Sequence, residues 1–270
     1  MSPSLSSSAA AVYLSYDINS PPPHPGPEWT RFVCISDTHS RIFPVPFGDV
    51  LLHAGDLSSG GSLQQLQVTL DWIGSLPHPT KILTAGNHDL VLDDNWREGE
   101  GWHQRTGRFF SSKDVDTAQA LIRSKLVLDA GIQYLEHESV QITVACGRTW
   151  QIYGSPAAPR HSRGAFQYER KDGAAIYEGI PQSTEILLTH APPYGICDMT
   201  RKGIQAGCAA LARKLHGAEL GHCRLHVFGH IHEAYGVAMT GDLEPPLGKR
   251  VSVNAALHSG GQAVIVDLKN

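Results

Sequence analysis

KILTAGNHD, residues 81–89, runs from an apolar stretch directly into a glycine, an amide, an imidazole and a carboxylate. A short run of this kind suits a strand covered on both faces. The polar tetrapeptide then stands where the strand ends, the place where ligand-binding groups gather in open α/β sheets. By itself GNHD leaves its chemistry open. Asn87 offers a weak, neutral ligand oxygen, and His88 could be a ligand, an acid or a base. Asp89 stands too close to its neighbours to face the same way.

The pattern recurs along the chain. RFVCIS (31–36) runs into DTHS, and DVLLHA (49–54) runs into GDLS; EILLTHAPP (185–193) and LHVFGHIH (225–232) repeat it. Amphipathic segments separate some of these strands. In SLQQLQVTLDWIGSL (62–76) apolar residues fall at Leu63, Leu66, Leu70, Ile73 and Leu76, with Ser62 as the N-cap. VDTAQALIRSKL (115–126) and CAALARKLHG (208–217) read the same way, the second closing on Gly217. The stretch 131–156 has no helical period and reads as successive antiparallel strands, as do VSVNAAL (251–257) and QAVIVDL (262–268). The expected class is α/β, with a mixed sheet on each side of a core and helices outside.

The strand ends supply Asp37 and His39, then Asp56, Asn87, His88, His190, His230 and His232. Oxygen and imidazole groups without a thiolate suit Zn, Mn or Fe and disfavour a structural cysteine site. Divided between two ions, Asp37, His39 and His232 serve one and Asn87, His190 and His230 the other, with Asp56 bridging. Such a pair clamps a phosphoryl group and acidifies a shared water, giving a hydroxide nucleophile. Asn87 completes a coordination sphere without adding negative charge. His88, the sequence neighbour of a ligand, is placed to donate to substrate or protonate the leaving group. Asp89 is expected to orient His88 or another site imidazole. A substrate wall is expected from YGSPAAPRHSRGAFQYER, through Arg160, His161, Arg163, Phe166 and Tyr168, with residues 98–110 as a weaker candidate. His53 and His226 read as core histidines, and no spacing ties His216, His222 or His258 to the site.

The chain has 270 residues, 41% hydrophobic and 18% charged, with net charge −4. That balance fits a globular protein and argues against a broad nucleic-acid surface. No apolar run approaches the ~20 residues of a membrane span. Five scattered cysteines read as free thiols, and no secretory signal is visible, so a cytoplasmic protein is expected. Residues 1–28, Ser-rich and then Pro-rich, read as an extended or disordered arm before a single domain over 29–270.

The motifs D-x-H, GD, GNHD, a lone His and GHIH, in this order, resemble the calcineurin-like metallophosphoesterase superfamily over residues 31–267. FVCISDTHSR, FGDVLLHAGDL, DWIGSLP, THAPPYG and LHVFGHIHEAYG look closest to its metallophosphoesterase-domain-containing branch. The resemblance implies a four-layered α/β/β/α sandwich, a two-metal centre and hydrolysis of a small phosphoester, often a phosphodiester such as a cyclic nucleotide. Some mammalian members of the branch have glycine where this chain has His230. The rival expectations are a phosphomonoesterase or protein phosphatase, and a non-catalytic scaffold on the same fold.

Overall fold

The computed structural model describes residues 2–98, 110–241 and 249–270. The strands, in chain order, begin with β1 Leu5–Ser6, β2 Ala10–Tyr13, β3 Trp29–Ile35, β4 Val50–Ala54, β5 Thr80–Thr84 and β6 Ile132–Tyr134. They continue with β7 Glu138–Thr143, β8 Thr149–Ser155, β9 Ala158–Pro159, β10 Gln167–Tyr168 and β11 Ile186–Thr189. The last four are β12 Leu225–Phe228, β13 Gly236–Thr240, β14 Arg250–Asn254 and β15 Val264–Lys269. The helices are α1 Leu63–Ser75, α2 Ser112–Ile122, α3 Lys125–Asp129, α4 Gly173–Glu178 and α5 Ala209–His216.

Two sheets face each other. One runs β1-β2-β15-β3-β4-β5-β6 and the other β13-β14-β12-β11-β8-β7. The period of two along each strand decides what lies between them. Phe32 and Cys34 of β3 point inward with Leu52, Ile82 and Val266, meeting Trp150, Ile152, Leu188, Val227 and Val253 of the second sheet. Val33 and Ile35 point outward with Leu51 and Leu83, under Leu66, Leu70 and Ile73 of α1 and Val115, Ala118 and Ile122 of α2. On the far side Tyr153 and Leu187 pack under Tyr177 of α4 and Leu211 and Leu215 of α5. The layers are therefore α/β/β/α.

Local signals hold in most places. The Ser62 side chain accepts from the Gln65 N–H and starts α1. The expected helix over 115–126 divides in two, because Ser124 accepts from Val127 N–H and starts α3. Gly217 closes α5 with φ −74°, in place of the left-handed turn expected of a terminal glycine. The stretch 131–156 is not one antiparallel run. β6 follows the α2–α3 crossover and so pairs parallel with β5, while β7 and β8 form an antiparallel hairpin in the other sheet. β14 likewise lies parallel to β12 and antiparallel to β13.

The reading of residues 1–28 as a separate arm is corrected. β2 pairs antiparallel with β15, and Val12 is fully buried in the inter-sheet core with Ala10 beside it. Arg31, ion-paired to Asp267 at 2.7 Å, donates to the carbonyls of Pro22 and Pro23, which ties down the proline-rich stretch. Prolines there lack N–H groups, but their carbonyls serve as acceptors. Deleting residues 1–28 uncovers the β15 edge and apolar side chains contributing about 1.5–3 kcal/mol each. The thermal midpoint should fall by on the order of ten degrees. A truncated protein melting with the full chain would contradict this.

Candidate metal centre

Nearly every sheet strand that points the same way delivers its polar residues to one end of the sandwich. β3 delivers Asp37 and His39, β4 Asp56, β5 Asn87 and His88, β11 His190, and β12 His230 and His232. The backbone there bends sharply. Asp37, His39, Asp56 and His230 have φ of 53°, 49°, 55° and 69°. Side chains other than glycine rarely adopt that region, and each such residue costs on the order of 1–3 kcal/mol.

The motif glycines answer a space requirement. A Cβ at Gly86 would lie 2.3 Å from Asp56 Oδ1 and 2.6 Å from His190 Cε1. At Gly229 it would lie 1.9 Å from Asp37 Oδ2 and 2.2 Å from Ser36 Oγ. Gly229→Ala should therefore displace Asp37 and weaken metal binding by roughly 10–100-fold, the size of effect seen when a ligand loses its support. Metal titration of the purified variant checks this, and wild-type affinity would contradict it.

Two clusters result. Ligand atoms of Asp37, His39, Asp56 and His232 lie within 4.8 Å of one another. Beside them Asn87 Oδ1 lies 2.9 Å from His190 Nε2 and 2.7 Å from His230 Nδ1. Asp56 belongs to both: Oδ2 is 3.6 Å from His39 Nε2, and Oδ1 is 3.4 Å from His190 Nε2.

The hydrogen bonds behind the ligands fix which nitrogens face inward. His39 Nδ1 donates to the Ser58 carbonyl and His190 Nδ1 to the Ala54 carbonyl. Each neutral ring then turns the lone pair of Nε2 toward further acceptors: Asp56 for His39, Asn87 and Asp56 for His190. Converging lone pairs without a proton between them fit a cation. Burial holds His39 down to about 3 and lowers His190 and His230 as well, so these imidazoles stay neutral, as metal ligation needs. Burial raises the Asp37 carboxyl, but the hydrogen bond and positive charge of His232 outweigh it and hold Asp37 below the carboxylate range. Asp56 goes the other way, pushed up by burial and by Asp37 and Asp89. Crowded, buried carboxylates are relieved by positive charge, a second reason that these residues fit a metal.

His88 differs from its neighbours. Its ring is exposed and stands edge-on to His39 with centroids 4.7 Å apart. Its Nδ1 donates to the Ser59 carbonyl at 2.7 Å, which leaves Nε2 directed elsewhere. The expected role of Asp89 is corrected: among the described residues no imidazole bonds to it. Its carboxylate accepts from Gly86, Leu57 and Ser58 N–H groups and from Ser58 Oγ, clamping the loop after β4 to the loop after β5. The sequence neighbour of an exposed residue in a tight turn points inward, and here the inward side is backbone.

The expected substrate wall is only partly at the site. The loop after β8 does reach it, since Ala165 N–H donates to the Asn87 carbonyl. The exposed ring of His161 lies 6.1 Å from that of His230, and Arg163 is exposed. Arg160 pairs with Glu169 at 2.6 Å. Two readings are corrected. Tyr168 is buried, its hydroxyl bonded to Tyr177 and Cys208, because β10 turns it into the core under α4. Phe166 packs against the Leu90, Trp96 and Ala165 cluster. Of the weaker candidate stretch 98–110, residues 99–109 lie outside the described residues.

One neighbour escaped sequence reasoning. The exposed ring of His258 lies 4.7 Å from that of His39 and 4.9 Å from that of His232. The signal was its place: it follows the end of β14, as the other site residues follow their strands.

Residues 30–234 match the family described as calcineurin-like phosphoesterase. The chain belongs to that family. It is 36% identical over 234 residues to metallophosphoesterase domain-containing protein 1 of Homo sapiens, covering 82% of this chain and 67% of that protein. The Mus musculus protein of the same name gives the same figures. A probable rhamnogalacturonate lyase C of Emericella nidulans is 36% identical over 207 residues. That match covers 76% of this chain but only 17% of the lyase, so the chain spans a small part of that relative's length. As a metallophosphoesterase family member the chain has a metal-dependent phosphoesterase fold, with a possible metal site at Asp37, His39, Asp56 and His232. No helix among the described residues is long and apolar enough to cross a membrane.

Proposed function

We propose that the chain hydrolyses a small phosphodiester, such as a cyclic nucleotide, with two ions drawn from Mn, Fe or Zn. The observation that carries this reading is Asp56, which turns one oxygen to each of two ligand clusters. Asp37, His39 and His232 would hold one ion, Asn87, His190 and His230 the other, with Asp56 common to both. When bound, such ions neutralise phosphoryl charge and acidify the attacking water.

The remaining steps belong to the chain's own groups. Asn87 contributes a neutral oxygen, so the site keeps the positive charge that draws an anion. Buried His39 and His190 stay neutral and hold position through the carbonyls behind them, and half-buried His230 turns Nδ1 to Asn87. His88, its Nδ1–H held by the Ser59 carbonyl, would act as the imidazolium: Nε2–H donates a hydrogen bond to a phosphoryl oxygen or gives its proton to the leaving oxygen, which leaves a neutral ring still bonded to Ser59. His161 stands on the His230 side and would meet the substrate there, with exposed Arg163 on the same loop. Preference for a diester is supported by the motif resemblance to the metallophosphoesterase-domain-containing branch. Five cysteines without a disulfide support action in the cytoplasm.

The test is turnover of bis(p-nitrophenyl) phosphate against p-nitrophenyl phosphate by protein loaded with each metal. Faster diester cleavage is expected. Faster monoester cleavage would favour a phosphomonoesterase, and no cleavage of either would favour a scaffold.

A further inference from the structure

Arg41 and His258 stand on the rim beside Asp37, His39 and His232, on the side formed by the ends of β3 and β14. The guanidinium carbon of Arg41 lies 5.1 Å from the Phe43 ring centroid. Arg41 Nη1 donates to the His258 carbonyl at 3.4 Å and faces His258 Nδ1 at 3.5 Å. Both side chains are exposed, and among the described residues Arg41 has no carboxylate partner. An arginine held by an aromatic face and a carbonyl, with its charge uncompensated, is set to receive an anion. With Nδ1 accepting from Arg41, the His258 ring carries its proton on Nε2 and offers a second donor.

The order of the side chains bears on which anion. The His258 ring contacts the His39 and His232 rings directly, and Arg41 touches the outer edge of His258. A phosphoryl group seated at the ligand cluster meets His258 first. Arg41, one side chain further out, reaches the next group of the same molecule.

We propose that Arg41 and His258 form a second anion subsite, which binds a phosphate or carboxylate carried by the substrate in addition to the phosphoryl group that is cleaved. This rests on the phosphoesterase reading and narrows it: the preferred substrate bears two anionic groups on one small organic core, which sets it apart from a simple cyclic nucleotide with only one. Phe43 supports the guanidinium from behind, and the subsite needs no change of protonation, because arginine is always charged.

Calorimetry on the metal-loaded protein tests it with two probes that share a core, adenosine 5′-monophosphate and adenosine 3′,5′-bisphosphate. The bisphosphate should bind roughly tenfold more tightly, the size of one charge-assisted hydrogen-bonded contact. In Arg41→Gln the ratio of the two dissociation constants should fall towards one, and Arg41→Lys should restore part of it. Equal affinities in the wild type, or an unchanged ratio in Arg41→Gln, would overturn the subsite. Cleavage of bis(p-nitrophenyl) phosphate by the wild type reports separately on the phosphoesterase reading. That probe has a single anionic group, so its failure would sink the reaction and leave the binding ratio intact.

Discussion

His88→Ala is expected to retain its metal and lose turnover by on the order of 10²–10⁴-fold, the contribution of a positioned acid or oxyanion donor. The ring is exposed, fixed by the Ser59 carbonyl, and lies beside His39 without joining either ligand cluster. What positions the neighbouring carboxylate is the His88 backbone N–H, 2.8 Å from Asp56 Oδ1, and alanine keeps that bond. The loss should depend on the leaving group. A nitrophenolate leaves with little protonation and should suffer least, whereas an alkyl or ribose oxygen needs a proton and should suffer most. Equal losses for both would assign His88 to charge stabilisation. Loss of metal would return it to the ligands.

The parts of the fold that alternate or repeat were legible in the sequence. The runs around Phe32, Leu52, Ile82, Leu188 and Val227 are buried on both faces and end in polar residues, so both the strands and the end where chemistry gathers followed from pattern. The candidate ligands could be named from the sequence because donor type and position at strand ends are local properties, and the structure brings Asp37, His39, Asp56 and His232 together. Pairing partners are not local. VIVDL reads the same whichever sheet it joins, and only the structure places β15 between β2 and β3. The N-terminal strands were hidden by composition: the serines of SLSSSAAAVYLSY and the prolines that follow read as an arm, yet Ala10 and Val12 suffice for an outer strand of a covered sheet. Asp89 and Tyr168 were misassigned for one reason. A polar group next to a site in sequence can turn away from it, and the turn that decides is set by packing. His258 was missed because Ala255, Ala256 and Leu257 precede it, so no polar cluster marks the end of the strand there.

Asp56→Ala should have the most severe effect. Every other ligand residue serves one cluster, so His39→Ala should weaken one site and spare the other. Asp56 faces both, and its removal also frees the His88 N–H. Both ions and all activity should go. Asp56 has φ 55°, a conformation that asparagine tolerates better than alanine, so Asp56→Asn separates loss of charge from backbone strain. The decisive measurement is metal stoichiometry by mass spectrometry on the wild type, His39→Ala, Asp56→Ala and Asp56→Asn proteins. The shared-carboxylate centre predicts two ions per chain in the wild type, about one in His39→Ala, and close to none in either Asp56 variant. Two ions per chain retained in the Asp56 variants would contradict it.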